Sequence, residues 1–413
     1  MSPARPRLAV VLSHPTQYYS PWFRRVAALG ALDLHVYYLW DFGVQARHDR
    51  DFGQALQWDI PLMDGYVSEF VPNRSLDPGT HHVGGLDNPR LVDRLADAKP
   101  DAILLFGYAY RSQLRVMLSP RLAGTPMLLR GDSHDLARPR GWKRIAGRLA
   151  RRILFRRFCR VLAVGKANAD YFRNNGVSEA RIRFVPHCVD NDRFRAAAPE
   201  ARTRAAAWRR ELGIDALATV ILFAGKFEDK KRPLDLLAAF LRVLREAPPG
   251  AAGAVLVFVG GGALAVDLRL LAGDELGQRV FVTPFRNQSE MPTVYACADL
   301  LALPSFGNGE TWGLAVNEAM NLARPCLVSS HVGCGPDLVS EGETGWICEA
   351  GNVDALHAAM LRALAAGPEL RTRMGQQAQA RVGAYSFDAA AMALHDVLAG
   401  LPAGGRVVME DAP

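Results

Sequence analysis

Short apolar, β-branched runs alternate with stretches of helical periodicity along the whole chain, which is the sign of parallel α/β sheets. In the first half the runs are RLAVVLS, LDLHVYYLW, DAILLFGY, PMLLRGD, RVLAVG and IRFVPH, and in the second TVILFAG, AVLVFVGGG, RVFVTPF, DLLALPS and PCLVSS. A polar, alanine-rich stretch from Pro199 to Leu212 opens the second set and is expected to be helical, as are the stretches from Arg232 to Leu244 and from Thr311 to Ala323. The expected fold is α/β, two Rossmann-like, doubly wound parallel-sheet domains facing a cleft. Residues 1–195 make the first and residues 196–384 the second. A terminal helix over 385–400 is expected to pack back on the first domain, and 401–413 to be a disordered tail. Ligands of such sheets bind beyond the carboxyl ends of the strands. Four polar clusters follow strands there in the second half: GKFEDKKRP, GGG, FRNQSE and GNGETWG.

The balance of 49 Lys and Arg against 42 Asp and Glu, net charge +7, calls for an anionic partner: nucleic acid, a lipid surface or a phosphorylated substrate. Much of the excess lies between Arg138 and Arg160. There Trp142, Ile145, Leu149 and Ile153 form one helical stripe and Arg144, Arg148, Arg151 and Arg152 another. This is either a domain helix with a solvated basic face or a helix that docks on anionic lipid. No aromatic-interleaved RNA motif accompanies it, so no nucleic-acid partner is expected. Six cysteines without a Cys-x-x-Cys pair read as reduced core thiols, and the five apolar residues Leu8 to Leu12 are too few for a signal peptide. The expected location is the cytoplasm, with peripheral attachment at the inner membrane face if the helix docks.

In GNGETWGLAVNE, Glu310 precedes an expected helix start and Glu318 sits inside the helix, with the unpaired amides of Trp312, Gly313 and Leu314 between them. Helix amides favour a phosphate in that gap, and a glycine lets it approach the backbone. A carboxylate at Glu318 can accept both hydroxyls of a ribose, and Glu310 those of a sugar beyond the phosphates. The plain alternative is an acidic side chain near a helix start and a solvated helix residue. Lys226 and Lys231 follow the strand VILFA, where cations would neutralise a diphosphate held beside two carboxylates.

Taken together, GKFEDKKRP, VGGGAL, the pair Pro304-Ser305 and ETWGLAVNEAMNLARPCLVSSHVGCGPDLV resemble the GT-B glycosyltransferases, specifically the retaining family-four type with its Glu-x7-Glu hallmark, here Glu310 and Glu318. The resemblance is strong from about Gly225 to Glu349 and returns at VPHCVDNDRF. It implies a nucleotide-sugar donor held by the second domain, with Glu318 on the ribose, Glu310 on the sugar, and Lys226 and Lys231 on the departing diphosphate. Thr311, Trp312, Gly313, Leu314, Gly260, Phe285 and Arg286 would complete the donor site, and His134 would stand near the reaction centre. Transfer would retain anomeric configuration, with no cofactor and no metal. If the basic helix docks on anionic lipid, the expected acceptor is a lipid-linked or surface-glycan precursor.

Two departures stand out: the family usually has arginine at Lys226, and it often carries a glycine pair after the first strand, where this chain has SHPTQYYSP. His14, Gln17 and Tyr18 there are candidates to meet the acceptor, the alternative being a turn that caps the next helix. Asp190 to Asp192 has the spacing of a metal-binding Asp-x-Asp but reads as a capping turn. His81-His82 reads as a mobile loop with no carboxylate nearby at ligand spacing. The rival functions are another GT-B activity, an epimerase or a phosphorylase, and a non-catalytic, membrane-associated donor-binding scaffold.

Overall fold

A computed structural model describes residues 5–49, 54–137, 142–248 and 250–401. The strands are β1 (Arg7–Leu12), β2 (Asp33–Tyr38), β3 (Arg47–Asp49), β4 (Gln54–Leu56), β5 (Val67–Phe70), β6 (Ala102–Phe106), β7 (Met127–Gly131), β8 (Arg160–Ala163) and β9 (Ile182–Phe184) in the first half. The second half contains β10 (Thr219–Lys226), β11 (Ala254–Gly261), β12 (Val280–Thr283), β13 (Leu300–Leu303), β14 (Cys326–Ser329) and β15 (Gly345–Cys348). They form a seven-stranded sheet of order β5-β2-β1-β6-β7-β8-β9 and a six-stranded sheet of order β12-β11-β10-β13-β14-β15. Every neighbouring pair in both is parallel. Helices cover both faces, so β1, β6, β10 and β11 are buried almost end to end, and their sequences are largely continuous apolar runs rather than alternations. The two doubly wound domains expected from the sequence are present.

Where the local expectations moved, backbone chemistry moved them. The helix expected from Pro199 begins at Asn191 and runs to Glu211, because Asp190 caps it by accepting from the Arg193 N–H at 2.9 Å. A domain boundary drawn at 195 therefore falls within a continuous helix, and Asp190 to Asp192 form its cap and first turn. The helix expected from Thr311 to Ala323 is confined to Leu314–Asn321, since Gly313, at φ +97°, holds a left-handed conformation in front of it. The one expected from Arg232 starts at Pro233 and extends to Glu246.

The helix Phe387–Ala399 lies against the helix Tyr19–Ala28. Its Ala390, Ala391 and Leu394 share a core with Leu8, Val10, Trp22 and Phe23 of the first domain. Beyond Leu401 the expected tail lies outside the described residues, as do Arg138 and its neighbours up to Gly141 and the side chain of Arg144.

The basic segment folds as the helix Trp142–Phe155, but it does not sit as a domain helix with its basic face outward. Ile145, Leu149 and Ile153 are 70%, 62% and 61% exposed. Arg151 turns inward instead: its Nε donates to Asn175 Oδ1 at 2.7 Å and its guanidinium lies over the Tyr171 ring. Arg148 is half-buried and Arg152 is exposed beside the apolar stripe. Among the described residues no helix is long and apolar enough to cross a membrane.

Candidate functional site

In each sheet the strand order reverses beside the first strand, between β1 and β6 in one domain and between β10 and β13 in the other. Loops leaving the carboxyl ends of neighbouring strands diverge at such a point and open a crevice. The loops after β1, β10, β12 and β13, with Gly260 near the end of β11, carry most of the residues singled out from the sequence, and they meet in one interdomain cavity of about 420 Å³. His14, Gln17, Tyr18, Lys226, Lys231, Gly260, Phe285, Arg286, Glu310, Thr311, Trp312, Gly313, Leu314 and Glu318 all line it.

Glu310 is held from three sides. Lys231 Nζ donates to its Oε2 at 2.5 Å and Ser305 Oγ at 3.0 Å, and the backbone carbonyl of Glu310 faces His134 Nε2 at 3.1 Å. His134 does not line the cavity but stands directly behind the Glu310 loop. Nε2 is used on that carbonyl and Nδ1 accepts from the Leu136 N–H at 3.2 Å, so the ring bridges the domains behind the Glu310 loop. Thr311 Oγ1 adds a second bridge to Asp132 Oδ2 at 2.7 Å.

Glu318, far from being solvated, is buried. Its Oε2 accepts from the Tyr295 hydroxyl at 2.6 Å, while Oε1 is buried without a well-formed hydrogen bond, the Tyr18 hydroxyl standing toward the carboxylate. Burial pushes its carboxyl from 4.5 up to about 7, against the pull of the Tyr295 hydroxyl, the Arg193 charge and the Tyr18 hydroxyl. An unsatisfied buried oxygen costs roughly 1–3 kcal/mol, a cost that a donating ligand hydroxyl removes.

Two glycines are required by space. A Cβ on Gly260 would lie 1.9 Å from the Gly225 carbonyl oxygen, and one on Gly313 2.9 Å from Val332 Cγ1, so backbone is all that can face a ligand at either place. The Trp312 indole is fixed by donating to Asn317 Oδ1 at 2.8 Å.

On the first-domain side, Tyr18 N-caps the helix Tyr19–Ala28, whose first N–H donates to Thr16 Oγ1 at 3.1 Å, so the segment after β1 is at once a capping turn and a cavity wall. Sequence reasoning missed Asp132, His187, Tyr295 and Gln288, all of which line the cavity. His187 stacks on Tyr19 with ring centroids 5.4 Å apart, and burial together with the Arg130 charge holds its imidazole well below the usual range, hence neutral. Asp132 ends the run PMLLRGD and could have been found there.

His81 and His82 do have a carboxylate neighbour: Asp77 Oδ2 lies 2.8 Å from His81 Nε2, and the three ligand atoms fall within 4.8 Å of one another in an exposed loop. The turn between Asp77 and His81 brings the carboxylate back to the ring, which the linear spacing concealed.

Comparison with known proteins follows the two sheets. Residues 66–188 match the glycosyl transferase 4-like domain and residues 205–381 the glycosyl transferases group 1 family. The D-inositol 3-phosphate glycosyltransferase of Corynebacterium jeikeium is 32% identical over 242 residues, 57% of this chain and 56% of the relative. The chain spans about half the length of the curated relatives it matches. In fold it resembles Anabaena Alr3699/HepE, solved in complex with UDP and glucose, with a TM-score of 0.69 at 17% identity over 96% of this chain and 100% of that one. It also resembles a glycosyltransferase from Rickettsia africae, with a TM-score of 0.71 at 14% identity over the same shares. With a 4-like first domain, a group 1 second domain and the Glu310 and Glu318 pair at their junction, the chain belongs to the GT-B glycosyltransferases of the family-four type.

Proposed function

We propose that the chain moves a sugar from a nucleoside diphosphate sugar to an acceptor hydroxyl with retention of anomeric configuration and without a metal ion. The observation that carries this is the pair of carboxylates in different settings. Glu310 is paired with Lys231, and Glu318 is buried with one oxygen lacking a well-formed hydrogen bond. Glu318 takes the ribose hydroxyls. The diphosphate lies before the amides of Gly313 and Leu314, flanked by Lys226 and Lys231, and Glu310 orients the transferred sugar. Phe285 and Arg286 border the donor from the loop after β12.

As the bond from the anomeric carbon to the diphosphate oxygen breaks, its electron pair passes to the leaving phosphate, whose growing charge the lysines stabilise. The acceptor oxygen attacks on the same face, and its proton goes to that phosphate oxygen, so no protein nucleophile is needed. UDP in the Anabaena neighbour makes uridine diphosphate sugars the first donors to try.

The exposed Ile145, Leu149 and Ile153 stripe with Arg152 beside it supports attachment to an anionic membrane and hence a lipid-linked or surface-glycan acceptor. A thermal-shift screen of nucleotide sugars followed by product analysis tests the assignment. A ligand at a hundred times its Kd raises stability by about 2.7 kcal/mol. No shift with any nucleoside diphosphate would sink it.

A further inference from the structure

The cations of the cavity all come from one side: Lys226, Lys230, Lys231 and Arg286 enter from the second domain, beside Glu228, Glu310 and Glu318. Among the described residues, the first-domain wall brings a single carboxylate, Asp132, and no lysine or arginine. A phosphorylated acceptor would place its charge beside that carboxylate and compete for lysines that the donor diphosphate needs, and exclusion of water from the cleft strengthens both penalties.

What the first-domain wall offers instead is ring surface. His14 meets Trp40 and Phe42 edge to face, with centroids 5.7 and 5.5 Å apart, and Trp40 stacks on Phe42 at 4.7 Å. Trp58 reaches across the cleft to Phe285 at 6.4 Å. That contact is pinned by Asn287 Nδ2 donating to the Gln57 carbonyl at 2.7 Å and by the Ser289 N–H donating to Asp59 Oδ1 at 3.1 Å. Phe42 and Trp58 are only half-buried and both line the cavity. Flat apolar rings with a few placed polar groups suit a ligand that has a C–H face and a hydroxyl rim. Asp132 supplies such a polar group, since Thr311 occupies only one of its acceptor positions.

Resting on the transferase assignment above, we propose that the acceptor unit entering this cavity is an uncharged hexopyranose, stacked on Phe42 and Trp58 with a hydroxyl held by Asp132. Phosphorylated polyols are excluded. The acceptor chemistry thus departs from the one that the inositol 3-phosphate relatives carry in their name.

Matched acceptors test this: methyl glycosides of neutral hexoses, the same hexoses as 6-phosphates, and inositol 3-phosphate, each with the donor found by screening. The expected result is a kcat/KM for a neutral glycoside at least tenfold above that for any phosphorylated acceptor. Phe42→Leu and Trp58→Leu should raise KM for that glycoside at least fivefold with kcat within twofold, and Asp132→Asn should narrow the gap between neutral and phosphorylated acceptors. Preference for a phosphorylated acceptor, no transfer to any neutral glycoside, or unchanged KM in both ring variants overturns the proposal. Calorimetry with UDP separates the two levels. Wild-type protein that binds no nucleoside diphosphate sinks the transferase assignment, whereas intact nucleotide binding with a phosphorylated acceptor preferred sinks only this one.

Discussion

Lys231 Nζ lies 2.5 Å from Glu310 Oε2, tying the loop after β10 to the loop after β13 with side chains only 16% and 11% exposed. Lys231→Ala removes both the cation for the leaving group and the partner of Glu310. Turnover should fall by about 10²–10³, more than donor affinity falls, because diphosphate charge grows as the bond breaks. Stability should drop by roughly 3 kcal/mol through the unpaired carboxylate. Steady-state kinetics beside UDP calorimetry check the split, and equal losses in kcat and affinity would reduce Lys231 to a binding residue.

Glu318, with its carboxyl raised to about 7 by burial, makes stability and binding respond to pH in opposite directions. A folded pKa above the unfolded one means stabilisation present below about 4.5 and lost as pH rises through about 7. On the scale of about 1.4 kcal/mol per unit, wild type should lose roughly 2–4 kcal/mol relative to Glu318→Gln across that window. Ribose hydroxyls donate to the ionised form, so UDP affinity should climb with pH below 7 in wild type and stay flatter in Glu318→Gln. Comparing the two proteins cancels the titration of the nucleotide itself. The variant should also bind about 1.5–3 kcal/mol more weakly. Melting curves and calorimetry from pH 5 to 8 provide the readout, and identical pH profiles would refute the ribose role.

Transfer should persist in excess chelator, because lysines supply the positive charge at the diphosphate. Activity lost in chelator and restored by magnesium or manganese would replace that account with a metal-dependent one.

Changing Ile145, Leu149 and Ile153 together to glutamine should cut binding to anionic vesicles at least tenfold, since each buried aliphatic side chain is worth about 1.5–3 kcal/mol. Salt should release the wild type only in part, because apolar insertion is not screened. Sedimentation with phosphatidylglycerol vesicles measures it, and equal binding by both proteins would discard membrane attachment.

Much of the fold was legible because strands buried on both faces write themselves as continuous apolar runs. β5 and β15 were not: VSEF is interrupted by a serine and a glutamate and GWIC opens on a glycine after a polar turn, so neither edge strand stands out as an apolar run. Glu310, Glu318, Lys226 and Lys231 were legible from motif spacing, but the surroundings that set their chemistry were not. Tyr295 reaches Glu318 across 23 residues, and Asn317 meets the His187 carbonyl across 130, contacts that exist only once the chain is folded. Periodicity also marked the stripes on the basic helix without revealing which one faces outward. That depended on Asn175 and Tyr171 offering Arg151 an inward seat.

The helix Phe387–Ala399 has a consequence for synthesis. Trp22 and Phe23 leave the ribosome early, yet Ala390, Leu394 and Leu398, which share their core, emerge only after the entire second domain. Until then the first domain holds an open apolar face, and a stall or cleavage ahead of residue 387 exposes it for good. Surveillance by chaperones and proteases should therefore act on the amino-terminal half of an unfinished chain, and a destabilised second domain should betray itself through aggregation of the first.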